Sequence, residues 1–252
     1  MVSSPPSVIL VAHGSGISRD AEAAALEHAR SLRESGRYGQ VEVCFLSRAE
    51  ETAPPVPPGD VFLVPLFMSS GYFVATRIPA LFGLEGRLRV GAAGRVFLCD
   101  ALGEDPALAD ILSMVGREAA AEMGAGAAAA HLLFVAHGSG KSPASRLAAE
   151  RHRQALEARR EFAAVSLAFL SEPPYLADWL RAEGDAAGPL VVVGLFSADG
   201  PHAAVDVPEI LHIWQRETGA RRRVQYTGAI GPRPEIAGLI ERSIARTRRR
   251  FD

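Results

Sequence analysis

The sequence contains the same pattern twice, and this duplication constrains the fold more than any other feature. The segment Val11–Ser15 (VAHGS) recurs as Val135–Ser139 about half a chain length later, in a chain of 252 residues. Further landmarks recur in the same order: Phe45-Leu46-Ser47 as Phe169-Leu170-Ser171, Leu66-Phe67 with Gly71 and Pro79 as Leu195-Phe196 with Gly200 and Pro208, and Leu102-Gly103 with Pro106 as Ile230-Gly231 with Pro234. The period is far longer than that of a solenoid repeat. These matches therefore predict two domain-sized copies, residues 1–126 and 127–252.

Each copy alternates short apolar runs with longer helical patterns, which is typical of an α/β fold. The runs are hydrophobic nearly throughout, and this pattern predicts parallel strands that are covered on both faces. The predicted strands are 8–12, 41–46, 61–67 and 96–99 in the first copy, and 131–136, 165–170, 190–196 and 224–227 in the second. We therefore expect two similar doubly wound parallel-sheet lobes.

The composition excludes several classes of function. Hydrophobic residues make up 48% of the chain, charged residues 22%, and the formal net charge is −2. Neither half is strongly basic, so we expect no nucleic-acid partner and no membrane surface as partner. No apolar run is long enough to span a bilayer, and the two cysteines suggest no disulfide framework. The chain is predicted to be a soluble cytoplasmic protein.

Three ionisable side chains of the second copy follow predicted strand ends. His137 comes directly after one strand, Glu172 closely follows the next, and His202 follows a third by a short loop. In an open parallel sheet, ligands bind beyond the carboxyl ends of the strands, so we expect the three groups to face one site. Two imidazoles and a carboxylate suit a divalent transition metal. The same groups could instead accept protons near neutral pH.

The first copy differs from the second at this predicted site. It keeps His13 in the repeated His-Gly-Ser motif, but Phe73 stands where the second copy has His202. The second copy therefore contains the candidate active site, while the first is predicted to have a degenerate one.

The ordered motifs resemble those of the class II tetrapyrrole chelatases, and within them the sirohydrochlorin cobaltochelatase and ferrochelatase group. They are strand-His-Gly-Ser, Phe-Leu-Ser-Glu-Pro, Leu-Phe-x(3)-Gly-x-His-x(5)-Pro and Gly-x-x-Pro. The resemblance implies two α/β lobes with a cleft between them, and insertion of a divalent metal into a tetrapyrrole without ATP. It assigns metal binding and proton removal to His137 and His202, with Glu172 as the assisting acid. No prosthetic group is implied, since Co²⁺ or Fe²⁺ is a substrate.

Sirohydrochlorin has many carboxylates, and the resemblance therefore implies cationic partners for them. The expected substrate-binding residues are Ser139, Lys141, Arg146 and Gly200 in the second copy, and His13, Phe73 and Arg77 in the first, with Arg19 a further candidate. Phe73 and its neighbours are expected to form an apolar wall for the macrocycle.

Several alternatives remain open at this level. A ferrochelatase acting on another porphyrin has the same kinds of residues, and a non-catalytic tetrapyrrole or metal carrier could be a degenerate relative. Histidine and carboxylate ligands accept cobalt, nickel, iron and zinc alike, so the sequence does not select the metal. Because both copies lie in one chain, we expect a monomer.

Overall fold

The strands form two separate sheets in the computed structural model, which describes residues 5–14, 20–46, 53–140, 142–183, 186–219 and 221–252. The first sheet has the strand order β2-β1-β3-β5-β4. Its strands are β1 (Ser7–His13), β2 (Val41–Leu46), β3 (Gly59–Pro65), β4 (Leu88–Gly91) and β5 (Gly94–Leu98). All pairs are parallel except β4 with β5, whose antiparallel hairpin was not predicted.

The second sheet is entirely parallel and has the order β7-β6-β8-β9. Its strands are β6 (His131–Ala136), β7 (Ala164–Phe169), β8 (Leu190–Leu195) and β9 (Val224–Ala229). Every residue of β8 is buried, as expected for a strand covered on both faces. The predicted α/β class with doubly wound sheets is confirmed.

Both sheets reverse their strand order next to the first strand of the repeat. In the second sheet the chain runs from β6 to β7 on one side, and then crosses to β8 on the other side. Such a reversal leaves a crevice at the carboxyl ends of the two central strands, where doubly wound folds bind ligands. The loops after β6 and β8 are therefore the expected positions for functional side chains.

The helices are amphipathic or apolar and cover the sheets. They are α1 (Asp20–Glu34), α2 (Ile78–Phe82), α3 (Leu108–Glu122), α4 (Ala144–Arg159), α5 (Leu176–Glu183), α6 (Val207–Thr218) and α7 (Ile236–Phe251). A π-helical segment precedes α2 at Phe73–Arg77, and another precedes α6 at His202–Asp206. On one face of the second sheet, α5 and α6 pack over a core cluster that includes Val192, Phe196 and Trp214.

The compact units differ from the predicted lobes 1–126 and 127–252. One unit consists of residues 1–105 together with 232–252, and the other of residues 106–231. The last helix of each sequence copy thus belongs to the unit that contains the sheet of the other copy. The predicted boundary separates the sequence repeats, whereas the compact units have exchanged their terminal helices.

Helix α7 is an integral part of the first unit. It contacts α1 and β3, and the ring of Phe251 lies 5.5 Å from that of Phe97 in β5. Arg246 donates a hydrogen bond of 2.7 Å to the carboxylate of Asp105, whose side chain is only 2% exposed. Because a buried carboxylate needs a partner, this ion pair fixes α7 to the loop that follows β5.

Helix α3 takes the corresponding place in the second unit. It contacts β8 and α4, and Arg159 at the end of α4 donates a hydrogen bond of 2.7 Å to Asp110. Leu108, Leu112 and Val115 are buried on its inner face. The second sheet is therefore covered by a helix from the first sequence copy.

Two further predictions concern the cysteines and the membrane. Cys44 and Cys99 are both buried and form no disulfide, and burial raises the pKa of the Cys99 thiol to about 12, so this thiol is unreactive. Within the part of the chain that the structure describes, no helix has the length and apolar character needed to cross a membrane.

Candidate functional site

A tight turn places His137 at the carboxyl end of β6. The next residue, Gly138, has a φ of +76°, which L-residues with a side chain rarely adopt. A Cβ atom at this position would also lie 2.7 Å from Cγ of Glu172. The repeated His-Gly-Ser motif therefore needs its glycine for both conformation and space.

The rings of His137 and His202 lie together, as the sequence predicted. Their centroids are 4.5 Å apart with an interplanar angle of 77°, and both residues are exposed. A metal–imidazole bond is about 2.0–2.1 Å long, so two imidazoles on one ion lie about this close together. The structure thus brings together two potential ligands from the ends of β6 and β8.

Hydrogen bonds assign the same tautomer to both imidazoles. Nδ1 of His137 lies 2.9 Å from the carbonyl oxygen of Gly138, and Nδ1 of His202 lies 2.6 Å from Oδ2 of Asp206. A carbonyl oxygen only accepts, and an ionised carboxylate also only accepts, so each Nδ1 has the proton. In the neutral ring each Nε2 then has the lone pair, which can bind a metal or accept a proton.

The segment that presents His202 is π-helical because of the proline that follows it. Pro208 has no N–H to donate to the carbonyl of Ala204, and its ring would crowd that carbonyl in a regular α-helix. The chain widens to an i→i+5 turn, in which the N–H of Val207 bonds to the carbonyl of His202. The carbonyl of Gly200, predicted as a site residue, accepts the N–H groups of Ala203 and Ala204 at the start of this segment.

Glu172, predicted as an acid that assists the metal site, lies beside the His-Gly-Ser turn. Its Oε1 accepts the backbone N–H of Ser139 at 3.1 Å, and its Oε2 accepts the guanidinium of Arg146 at 2.9 Å. Arg146 also lies over the ring of Phe169, at 4.5 Å from its centroid. Glu172 thus holds the His-Gly-Ser turn, and Arg146, predicted to bind a substrate carboxylate, neutralises Glu172.

Substituting Gly138 with alanine should disturb this turn strongly. The positive φ costs an L-residue about 1–2 kcal/mol, and the added methyl group would also displace Glu172. We expect thermal unfolding to show a loss of stability of at least this size, with an accompanying loss of function at His137. Gly140→Ala is the matched control, because a Cβ there would meet nothing within 4 Å. Equal effects of the two variants would contradict this account of the turn.

The first unit contains an aromatic cluster at the equivalent place. The ring of His13 lies 4.4 Å from that of Phe73 at an angle of 79°, nearly the same arrangement as that of His137 and His202. Phe67 also contacts His13, at 4.7 Å, and stacks with Phe73 at 5.8 Å. Phe73 therefore occupies the place of the second histidine, and its side chain has no atom that can bind a metal.

The charge next to this position also differs between the copies. Arg77 ends the π-helical segment of the first copy, whereas Asp206 ends that of the second. Asp206 was not predicted from the sequence, although its spacing of four residues from His202 was a usable signal. Lys141, Arg19 and the first-copy Ser15 lie outside the described residues.

Another histidine of the second unit, His131, lies away from this pair. His131 begins β6, at the opposite end of the strand from His137, and hydrogen-bonds through Nε2 to Oγ of Ser166 at 2.8 Å. Burial, together with the nearby charge of Arg222, lowers the pKa of His131 to about 4. His131 is therefore a neutral structural residue.

The described residues contain no cluster of three or more His, Cys, Asp or Glu that could hold a metal ion. The candidate ligands at the site are the imidazoles of His137 and His202.

Comparison with known proteins identifies the family of this chain. The sequence matches the CbiX family profile twice, at residues 7–119 and 131–247. It is 25% identical over 266 residues to a Halobacterium salinarum protein named "Probable sirohydrochlorin cobaltochelatase", covering 92% of this chain and 88% of that protein.

Two solved structures are also similar. One is that of CbiX, the terminal enzyme for biosynthesis of siroheme in denitrifying bacteria, with 25% identity, a TM-score of 0.68, and coverage of 95% of this chain and 98% of the other. The other is a multi-domain Deinococcus radiodurans protein with structural similarity to chelatases and two additional novel domains. That similarity has 26% identity and a TM-score of 0.79, and covers 96% of this chain but 55% of the other. This chain thus spans about half the length of the D. radiodurans protein.

Proposed function

Because this chain belongs to the CbiX family, we propose that it inserts a divalent metal, Co²⁺ or Fe²⁺, into sirohydrochlorin or a related tetrapyrrole. Such a reaction belongs to cobalamin or siroheme biosynthesis and needs no ATP. The observation that carries the proposal is the pair of exposed imidazoles, His137 and His202, with centroids 4.5 Å apart. They lie at the carboxyl ends of β6 and β8, where the second sheet reverses its strand order.

Metal insertion needs groups that hold an ion loosely and groups that take up two pyrrole protons. A neutral imidazole does both in turn, since its Nε2 lone pair binds the ion first and is free to accept a proton once the ion has left. His137 and His202 are both assigned as Nδ1-protonated tautomers, so both offer Nε2 for these steps. Glu172 assists by fixing the His-Gly-Ser turn through Ser139, with Arg146 as its counter-ion.

The aromatic cluster of the first unit is proposed to bind the macrocycle. Phe73, Phe67 and His13 form a connected set of rings that contains one histidine and no ligand pair. Flat aromatic surfaces suit a tetrapyrrole face, and Arg77, at the end of the adjoining π-helical segment, adds a cation for a substrate carboxylate. In this proposal the first unit has kept the repeated framework but has changed its role from chemistry to binding.

Replacing Phe73 with leucine tests this role. Leucine keeps much of the volume that packs against the core cluster below Phe73, but removes the aromatic face. We expect the KM for sirohydrochlorin to rise about tenfold, equivalent to about 1.4 kcal/mol of binding, with kcat nearly unchanged. An unaltered KM for sirohydrochlorin in the Phe73→Leu variant, and also in Phe73→Ala, would show that Phe73 does not bind the macrocycle.

The reaction itself is tested by following the absorbance of sirohydrochlorin with Co²⁺ and with Fe²⁺ under anaerobic conditions, using trace protein. Many turnovers per protein molecule above the spontaneous rate are expected. A spectral change that stops at one equivalent would instead identify a carrier of metal or tetrapyrrole. Activity on porphyrins with two propionates but not on sirohydrochlorin would identify a ferrochelatase of another type.

We further propose that the protein acts as a cytoplasmic monomer without a prosthetic group. The buried thiols of Cys44 and Cys99, which form no disulfide, suit a reducing compartment, and both sequence copies are supplied by one chain. Sedimentation of the purified protein at assay concentration measures the oligomeric state directly.

A further inference from the structure

We propose that Asp206 is a positioning residue that holds the ring of His202 in the orientation and tautomer required for metal delivery. This inference rests on the proposed function and adds a residue to its site. Asp206 lies in the last position of the π-helical segment that His202 begins.

The first observation is a direct contact between the two side chains. Oδ2 of Asp206 lies 2.6 Å from Nδ1 of His202, a short distance typical of a charge-assisted hydrogen bond. This contact uses the ring nitrogen opposite Nε2, so it leaves Nε2 available. A carboxylate behind a metal-ligating histidine fixes the tautomer and the ring plane in many metal sites.

The second observation comes from the duplicated sequence. The first copy forms the same π-helical segment with Phe73 and Arg77 at the two corresponding positions. The backbone therefore adopts this conformation without an acidic residue, and the fold does not require Asp206. The histidine and its carboxylate are both absent from the copy that lacks the ligand pair, which indicates that they act as a unit.

The third observation is that the two histidines are held in different ways. Nδ1 of His137 bonds to the backbone carbonyl of its neighbour Gly138, which the turn itself supplies. His202 is an exposed ring on a short helical segment, and Asp206 is the side chain that orients it. Without Asp206 the ring would rotate and populate both tautomers, and fewer molecules would present Nε2 beside His137.

The test compares Asp206→Ala and Asp206→Asn with the natural protein. We expect Asp206→Ala to weaken Co²⁺ binding, measured by calorimetry without tetrapyrrole, and to raise the KM for Co²⁺, each by about 10- to 100-fold. The KM for sirohydrochlorin and the thermal midpoint should stay unchanged. Asp206→Asn should recover most of the Co²⁺ affinity, because an amide oxygen still accepts the Nδ1 proton.

Glu209→Ala is the matched control, since Glu209 is an exposed acid in the first turn of α6 on the same segment of chain. If Glu209→Ala weakens Co²⁺ binding as much as Asp206→Ala does, the weaker binding is explained by the lost attraction between a negative charge and the ion, and not by positioning of His202. The inference then fails. It also fails if Asp206→Ala binds Co²⁺ with natural affinity, or if Asp206→Asn recovers nothing.

Two histidine variants separate this inference from the proposed function. Loss of turnover in His137→Ala and His202→Ala, with natural Co²⁺ affinity in Asp206→Ala, would retain the chelatase site and reject only the role of Asp206. Full turnover in both histidine variants would reject the proposed site, and the role of Asp206 with it.

Discussion

Replacing His202 with phenylalanine is expected to lower the rate of metal insertion by about 10²- to 10⁴-fold while leaving the fold intact. The loss follows because the variant removes one of two metal ligands and one of two proton acceptors. A positioned proton-transfer group alone contributes a factor of this size. The reaction rate with Co²⁺ and sirohydrochlorin measures the effect.

The first copy of this protein already has a phenylalanine at the position that corresponds to His202. Phe73 occupies the corresponding position in the first copy and packs against His13 at 4.4 Å and 79°, whereas His202 packs against His137 at 4.5 Å and 77°. A phenylalanine at position 202 should therefore adopt the same edge-on contact, with no cavity and no change of backbone. The thermal midpoint should move by no more than a few degrees.

His212→Phe provides the matched control for this prediction. His212 is exposed on α6, so the variant makes the same chemical change outside the pair. Full activity is expected for it. Natural activity in His202→Phe, or an equal loss in His212→Phe, would contradict the assignment of chemistry to the histidine pair of the second copy.

The histidine pair could be predicted from the sequence because every step of the inference was local or topological. Apolar runs marked β6 and β8, and a parallel sheet requires that their carboxyl ends meet at one edge. His137 and His202 then had to be near each other. Glu172 satisfied the same topological rule, and its carboxylate binds Arg146 and the Ser139 N–H. These contacts could not be predicted, because strand order does not determine the hydrogen-bond partners of a side chain.

Asp206 was missed for a related reason. An acid four residues after a histidine is common on exposed helices, so the spacing alone is a weak signal, and the structure adds the 2.6 Å contact. The difference between the two copies was a stronger signal, since Arg77 and Phe73 replace both members together. The antiparallel strand β4 lies in a region where the copies no longer correspond, so the duplication offered no help there.

The exchange of terminal helices could not be predicted, because α3 and α7 occupy equivalent places in the repeat. Each has an apolar face that suits either sheet, and a hydrophobic stripe does not specify its partner. The choice depends on particular contacts such as that between Arg246 and Asp105. The local sequence pattern contains no information about this choice.

Deleting residues 232–252 is therefore expected to unfold the first unit, which lies mainly at the other end of the chain. The deletion removes four buried aliphatic side chains of α7: Ile236, Leu239, Ile240 and Ile244. Each contributes about 1.5–3 kcal/mol by burial. Together they approach the whole stability of a small domain, about 5–15 kcal/mol. The deletion also leaves the carboxylate of Asp105 without Arg246.

Hydrogen exchange resolved by peptide distinguishes this outcome from an independently folding first lobe. In the deleted chain, peptides from residues 5–14 and 53–105 should lose protection, whereas peptides from 106–183 should keep it, because α3 still covers the second sheet. A synthetic peptide of residues 232–252 should restore protection when added. The fragment 1–126 should likewise fail to fold alone, because it lacks α7 and α3 belongs to the other unit. Full protection of β1, β3 and β5 in the deleted chain would show that the first sheet does not depend on the exchanged helix.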